Sequence, residues 1–226
     1  MRGLIRFTLA TVMAAVPVLA VAGEAQAATT AATWHMETTS RLVDSSSSDN
    51  NGKTTAIKGV SGASGRGYHF NGKSSVATVP DDGSLDPGKA SLRIRVKVRF
   101  SVVPSGSVHD YDLVRKGVSG AAGGTWKVEI FPPSGSKKGP AYCEFQDSTG
   151  KTASIRGTRN LADGDWHSIT CVKTSSKIQL IVDGSTTSKT VALGPIRNSK
   201  PVTIGAKPGG GDRYLGDMDE VKITVG

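Results

Sequence analysis

The chain has 226 residues, of which 37% are hydrophobic and 5% aromatic, and it carries a formal net charge of +9. This length suits one domain that buries its own core. The positive charge favours polyanionic partners such as acidic polysaccharides, although it can equally serve solubility alone. The sequence contains neither the G-x-S-x-G motif of serine hydrolases nor the H-E-x-x-H motif of zinc proteases, which argues against both enzyme classes.

Residues 1–27 have the pattern of a signal peptide. A positively charged start precedes an apolar run at residues 7–22, and the small residues Ala25 and Ala27 then supply a site for signal peptidase. The apolar run is shorter than the roughly 20 residues that span a bilayer. We therefore expect residues 28–226 to be secreted as one soluble domain without a membrane anchor.

The rest of the chain is predicted to be all-β. Its clearest strand lies at residues 92–100, where apolar side chains alternate with Arg93, Arg95, Lys97 and Arg99. Such alternation directs the apolar side chains into a core and the cations to the opposite face, about 6.6 Å apart. Further strands are predicted at residues 75–79, 112–115, 126–131, 141–146, 154–157, 166–173, 177–182, 202–204 and 218–225. Short strands separated by Gly, Ser, Asn and Pro clusters predict an antiparallel two-sheet sandwich.

The only two cysteines lie in separate predicted strands. Alternation places Cys143 on the same strand face as Phe145, and Cys171 on the same face as Ile169. Both thiols can therefore point into one core. Because an isolated pair in an oxidising compartment favours a disulfide bond, we predict that Cys143 and Cys171 are bonded to each other.

Short motifs along the chain resemble those of one protein family and come in the same order. They are Trp34-His35-Met36, Asp44-Ser45-Ser46, Phe70-Asn71-Gly72, Leu85-Asp86-Pro87, Asp163-Gly164-Asp165-Trp166-His167, Val182-Asp183-Gly184 and Leu215-Gly216-Asp217-Met218-Asp219-Glu220-Val221. The chain is thereby similar to the laminin-G-like (LamG) jelly rolls of the concanavalin A-like lectin/glucanase superfamily, and it looks like secreted members from soil actinobacteria. The resemblance implies an antiparallel jelly-roll sandwich. Within it, we expect Trp166 to be a packing residue and His167 a structural histidine.

The resemblance also implies a candidate site for a structural calcium ion. Members of the family often bind calcium through an acidic residue near the last strand and oxygens of the N-terminal segment. The matching residues here are Asp219 together with Asp44, Asn50 or Asn51. A purely structural role for these side chains is the alternative, and no cofactor is expected to be required.

No catalytic residues are expected. Glucanases of the superfamily resemble this fold but carry clustered acids, commonly Glu-x-Asp-x-x-Glu on one strand, and this sequence lacks that spacing. The nearest candidate is a pair of acids, Asp217 and Asp219, that would share one strand face. The absence of the acid pattern favours a binding module over an enzyme.

The candidate ligand-binding residues are a row of cations and three aromatic side chains. If Arg93, Arg95, Lys97 and Arg99 line a groove, their charged groups suit an anionic polymer. The alternative is a solvated outer face, paired across strands with acids such as Glu129 or Glu144. Aromatic side chains that lie beside loops are the candidates for stacking on sugars, namely Tyr111, Trp126 and Tyr214.

The sequence therefore supports three hypotheses of different classes. The first is a secreted, non-catalytic, lectin-like module that binds an extracellular polysaccharide, with acidic polysaccharides favoured. The second is an extracellular adhesion module with a cell-surface protein as partner, and the third is a glycoside hydrolase or polysaccharide lyase with unusual acids. Nucleic acid is not an expected partner, and we expect a monomer.

Overall fold

The computed structural model describes residues 27–106, 108–133, 135 and 138–226. Residues 1–26 of the predicted signal peptide therefore lie outside the described residues. The strands, in chain order, are β1 Thr29–Trp34, β2 Lys53–Thr55, β3 Lys58–Ser61, β4 Arg66–Asn71, β5 Val76–Val79, β6 Leu92–Arg99, β7 Tyr111–Lys116, β8 Thr125–Ile130, β9 Ala141–Gln146, β10 Thr152–Arg156, β11 His167–Lys173, β12 Lys177–Val182, β13 Ser185–Thr190, β14 Val202–Ile204 and β15 Leu215–Val225. One short 3₁₀ turn, Gly83–Leu85, interrupts them.

The strands form two antiparallel sheets. An eight-stranded sheet has the order β13-β12-β11-β6-β15-β4-β3, with β1 paired to β15, and a seven-stranded sheet has the order β10-β9-β8-β7-β14-β5-β2. This arrangement confirms the predicted all-β, two-sheet jelly-roll sandwich. Among the described residues, none of the helical turns is long and apolar enough to cross a membrane.

The core lies between the sheets and is built by strict alternation along the strands. In β6, Ile94, Val96 and Val98 are completely buried, whereas the intervening side chains face outward. The facing sheet contributes Val128 and Phe145, which are also completely buried. Burial of each such side chain stabilises the fold by about 1.5–3 kcal/mol, so this alternation largely determines which face of each strand is internal.

A disulfide bond joins the two sheets across this core. Cys143 in β9 and Cys171 in β11 are bonded, with their Cα atoms 5.7 Å apart. Both side chains are completely buried, as their predicted strand faces require. The predicted pairing is therefore confirmed.

Candidate functional site

The predicted cation row lies on the outer face of the eight-stranded sheet, in the strand at its centre. In β6 the cations alternate with the buried aliphatic residues, and their neighbours come from β11 and β15. Arg95, for example, lies opposite Thr170 on one side and Lys222 on the other. The row thus runs along one continuous sheet surface, and its two halves have different surroundings.

The first half of the row lines an open groove. Arg93 and Arg95 border a cavity of about 340 Å³ together with Lys222. The other lining residues are Ser168, Thr170, Ile181 and Thr224, so the lining contains no acidic side chain. We call this surface the basic groove.

The cations of the basic groove are not neutralised by nearby acids. Arg93, Arg95 and Lys222 are exposed, and among the described residues none of the three forms an ion pair. The Arg95 Nε donates a hydrogen bond to the Ser168 Oγ at 3.3 Å, which orients the guanidinium along the sheet. Three unpaired cations on one rigid surface make it attractive to anions.

At the other end of the row, Arg99 is occupied by intramolecular contacts. Arg99 donates hydrogen bonds from Nε and Nη2 to Asp217 Oδ2 at 3.0 and 2.8 Å. Its guanidinium also lies 4.8 Å from the ring centroid of the half-buried Trp166. The other Asp217 oxygen contacts His69 Nδ1 at 2.8 Å. Arg99 is therefore a paired cation, unlike Arg93 and Arg95.

The three aromatic residues predicted to stack on sugars are all buried. Tyr111 is 4% exposed, and Trp126 and Tyr214 are completely buried. The Tyr214 hydroxyl donates to main-chain carbonyl oxygens, at 3.2 Å to that of Arg99 and at 2.9 Å to that of Asp217. The prediction that these three rings stack on sugars is therefore wrong. All three lie beside loops in the sequence, but their side chains point into the core.

The predicted calcium ligand Asp44 is fully engaged by protein donors. Its Oδ1 accepts hydrogen bonds from the amides of Thr33 and Ser46, and its Oδ2 accepts from the Asn50 amide and the Ser46 hydroxyl, all at 2.8 Å. A cation would have to displace these donors. Asp44 therefore does not fit a metal site, and it instead holds the N-terminal loop against β1.

Asp219, the other predicted calcium ligand, is also held by the main chain. It is completely buried, and its oxygens accept hydrogen bonds from the amides of Glu220 at 2.7 Å and Ser64 at 3.0 Å. Burial raises the pKa of the Asp219 carboxyl. Because Asp217 is ion-paired to Arg99 and Asp219 is inaccessible, these two acids do not form a catalytic pair either.

A different group of acids, which sequence reasoning missed, meets at the start of β7, the central strand of the seven-stranded sheet. Asp110, Asp112 and Asp212 each place a carboxylate oxygen within 4.8 Å of the others. The Asp112 amide donates to the Asp212 carbonyl at 2.9 Å, which ties the start of β7 to the loop before β15. Burial, with the neighbouring Asp212 and Asp112 carboxylates, raises the pKa of Asp110 to about 6. We call these three residues the aspartate cluster.

Glu129 adds a fourth carboxylate beside the aspartate cluster. It lies opposite Asp112 in the β7–β8 pair, and each of the two residues is only 1% exposed. Burial and the Asp112 charge raise the pKa of Glu129 to about 8. The Glu129 Oε2 and the Asp110 Oδ1 are both buried without a hydrogen-bond partner. Two unpartnered carboxylate oxygens, one within the aspartate cluster and one on the neighbouring Glu129, are the ligand type that a calcium ion requires.

Cations compensate part of this negative charge. Arg115 Nη1 contacts both Asp112 oxygens, at 2.9 and 2.7 Å, and Lys127 Nζ lies 2.8 Å from Glu129 Oε1 and 3.4 Å from Glu144. The alternative interpretation of the cation row pairs it with Glu129 or Glu144 across strands. That alternative is wrong for both, because they belong to the other sheet and pair with Lys127.

The predicted structural histidine is confirmed. His167 lies between two carboxylates, with Nδ1 2.7 Å from Asp183 Oδ2 and Nε2 2.9 Å from Asp163 Oδ1. Burial opposes its charged form, but the hydrogen bonds to Asp183 and Asp163 outweigh it and raise the pKa of His167. Its side chain is 4% exposed, so it is not available to a ligand.

Two sequence comparisons bear on the family. A profile of laminin-G type, described as the concanavalin A-like lectin/glucanases superfamily, matches residues 70–224. Among curated proteins, no sequence matches the chain.

Several solved structures are similar in fold. The binding domain of Paraclostridial Mosquitocidal Protein 1 has a TM-score of 0.66 at 18% identity, over 86% of this chain and 48% of that chain. Domain 4 of AbnA, an extracellular arabinanase of Geobacillus stearothermophilus in complex with arabinotriose, has a TM-score of 0.64 at 14% identity, over 88% and 93%. The binding domain of botulinum neurotoxin DC in complex with SialylT has a TM-score of 0.60 at 11% identity, over 86% and 47%. The chain spans about half of the toxin binding domains.

Proposed function

Because this chain belongs to the concanavalin A-like lectin/glucanases superfamily, we propose that it is a non-catalytic binding module whose ligand is an acidic polysaccharide outside the cell. The observation that carries the proposal is the basic groove. Its cations are exposed and unpaired among the described residues, and no acid lies in its lining.

The chemistry of the basic groove suits a sugar polymer that bears carboxylates or sulfates. The guanidinium groups of Arg93 and Arg95 can each donate two parallel hydrogen bonds to such an anion. The hydroxyls of Ser168, Thr170 and Thr224 can both donate to and accept from sugar hydroxyls. Charge and hydroxyl recognition therefore occur side by side on one surface.

The positions of the acids support binding without catalysis. A glycoside hydrolase needs two carboxyl groups that flank the bond to be cleaved. Asp112 and Glu129 are close to each other, but each is only 1% exposed. Since a polymer cannot reach them and no acid lines the basic groove, the proposal includes no hydrolytic step.

Two further observations support an extracellular glycan as the ligand. Disulfide bonds such as Cys143–Cys171 are typical of oxidising compartments, in agreement with the leader pattern of the sequence. The similar arabinanase domain is extracellular and holds arabinotriose. We infer from these together that the module acts outside the cell and that a glycan is favoured over a protein partner.

We further propose that the structural calcium ion, if the domain binds one, occupies the aspartate cluster rather than Asp44 and Asp219. Calcium takes 6–8 oxygen ligands, several of them carboxylates. Asp110, Asp112 and Asp212 converge, and Glu129, whose Oε2 has no partner, lies opposite Asp112 in the neighbouring strand. Such an ion would join the loop before β7, β7 itself and the loop before β15; it would stabilise the fold and take no part in a reaction.

Isothermal titration with polygalacturonate tests the proposed binding. We expect the triple variant Arg93→Gln, Arg95→Gln and Lys222→Gln to bind at least about tenfold more weakly. Loss of a single hydrogen bond to a charged group typically costs about 1.5–3 kcal/mol, which already corresponds to a tenfold change in Kd. The variant should also lose part of the salt dependence of binding, because fewer counterions are released.

A matched control separates the basic groove from net charge. Lys53, Lys151 and Lys200 are exposed and lie in or beside strands of the seven-stranded sheet. Changing these three residues to Gln removes the same charge, and we expect it to leave the affinity within about twofold. Equal losses in both triple variants would mean that binding is non-specific attraction, and the proposed site would be wrong.

A further inference from the structure

The outer face of the eight-stranded sheet carries a second cavity beyond the basic groove. This cavity has a volume of about 450 Å³ and lies at the other end of the cation row, next to Arg99. We call the apolar part of its lining, Val102 and Leu215, the apolar wall, and the polar part, His69, Arg99 and Asp217, the polar wall. Among the described residues, Val102 is one of two large apolar side chains that are exposed, at 51%.

The polar wall is arranged in advance and is close to neutral. Both Asp217 oxygens are held, one by His69 and the other by Arg99, and Trp166 packs against the Arg99 guanidinium. The Asp217 side chain nevertheless remains 16% exposed and that of Arg99 33%. The fixed Asp217 carboxylate can accept hydrogen bonds, whereas the fixed Arg99 guanidinium and His69 imidazole can donate them. The polar wall can therefore bind sugar hydroxyls both as donors and as acceptors.

A lining that combines apolar and polar side chains matches an uncharged sugar ring. The C–H face of the ring can lie against Val102 and Leu215, while its hydroxyls reach Asp217 and Arg99. An acidic sugar would fit less well, because its carboxylate would face the carboxylate of Asp217. The basic groove, which lacks acids, has the opposite preference.

The cavity and the basic groove lie along one strand. Arg95 and Arg99 are on the same face of β6, four residues apart, which corresponds to about 13 Å. From the shared strand and the two contrasting linings, we propose that the cavity is a second subsite, which takes an uncharged sugar residue of the same polysaccharide chain. The preferred ligand then alternates acidic and neutral residues. This inference rests on the function proposed above.

Two polymers and two variants test the second subsite. Hyaluronan alternates an acidic and a neutral residue, whereas polygalacturonate is acidic at every residue. We expect Asp217→Asn to weaken hyaluronan binding about tenfold relative to polygalacturonate binding, because a charged acceptor is lost. Val102→Ser removes an apolar contact at an exposed position, so it carries little risk to the fold. It should weaken hyaluronan binding about threefold relative to polygalacturonate binding.

The outcomes separate this inference from the proposed function. If the triple variant of the basic groove loses both polymers while Asp217→Asn and Val102→Ser leave their relative affinity unchanged, the second subsite is refuted and the proposed function stands. If wild-type protein binds neither polymer, or the triple variant binds both normally, the proposed function fails and this inference with it. A changed ratio for Val102→Ser, with an unchanged melting temperature, supports the subsite even where Asp217→Asn is unstable.

Discussion

His167 stabilises the turn regions at one end of the sandwich through two charged hydrogen bonds. Asp163 lies in the loop before β11 and Asp183 lies in the turn between β12 and β13, and both carboxylates contact the same imidazole. Asp183 and Gly184 adopt positive φ values of 46° and 85°, as a two-residue Asp-Gly hairpin turn requires. The histidine thus connects two segments that are twenty residues apart in the chain.

This arrangement predicts a pH-dependent loss of stability in His167→Gln. The pKa of His167 is raised in the folded protein, so its contribution is fully present below the ordinary histidine pKa of about 6.5 and disappears as the pH rises through the folded-state value. We expect the variant to be less stable by about 1–3 kcal/mol near pH 5.5, and the difference to shrink towards pH 9. Urea unfolding at both pH values measures it.

The exposed His109 provides the control for this experiment. His109→Gln should change the free energy of unfolding by less than about 0.5 kcal/mol at either pH. If the loss of stability in His167→Gln instead grew with pH, a raised pKa of His167 in the folded protein would be contradicted.

At the level of elements, the disulfide connects strands of different sheets. β9 belongs to the seven-stranded sheet and β11 to the eight-stranded sheet, and the bonded cysteines are 28 residues apart in sequence. A covalent link of this kind restricts the unfolded chain, and it also keeps the sheets in register across the core.

We expect Cys143→Ala with Cys171→Ala to lower the free energy of unfolding by about 3–4 kcal/mol. For a domain of this size the melting temperature should fall by on the order of 10 °C. Differential scanning calorimetry measures the fall, and wild-type protein treated with a reductant should approach the variant. A variant that melts within 2–3 °C (about 1 kcal/mol) of the oxidised wild type would show that the bond adds little.

The sequence predicted those elements that have a clear apolar alternation. Strands such as β6, β9 and β12 were predicted within one residue of their ends, because their inward side chains are aliphatic or aromatic. β13, Ser185–Thr190, was missed because all six of its residues are exposed and polar, and only its pairing with β12 makes it a strand. β4 was missed because it begins with Arg66 and Gly67, at the end of a glycine-rich segment.

The candidate sites were harder to predict, because their residues come together from distant parts of the chain. The cation row could be found because it lies on a single strand, whereas Lys222 joins the basic groove only through the pairing of β15 with β6. Asp110 and Asp212 are about a hundred residues apart, and no local spacing relates them. The sequence of β8 did contain a signal for the acidic site, because the charged Lys127 and Glu129 alternate there with buried apolar residues.

On the scale of the whole molecule, the two sheets carry charged sites of opposite sign. The eight-stranded sheet presents the unpaired cations of the basic groove, and the seven-stranded sheet carries the aspartate cluster with Glu129 beside it. The two sheets are therefore suited to different charges: an anionic polymer on one and a cation on the other.

The aspartate cluster predicts stabilisation by calcium. A cation present at about a hundred times its Kd stabilises a folded protein by about 2.7 kcal/mol, and millimolar calcium reaches useful occupancy of many extracellular sites. We expect calcium to raise the melting temperature of the wild type, but not that of Asp110→Asn. Asp165→Asn, which changes an exposed aspartate, should keep the response. A calcium response retained in Asp110→Asn would place the ion elsewhere.

The position of β15 has a consequence for how a nascent chain acquires this structure. β15 pairs with β6 along one side and with β4 and β1 along the other, so it separates strands made much earlier in synthesis. Until residues 215–225 pair with them, β6 and β4 each keep one unsatisfied backbone edge, which is a template for aggregation. Completion of the sheet must therefore be a late event, and protection of those edges by a chaperone should matter more for yield than the rate of the earlier pairings.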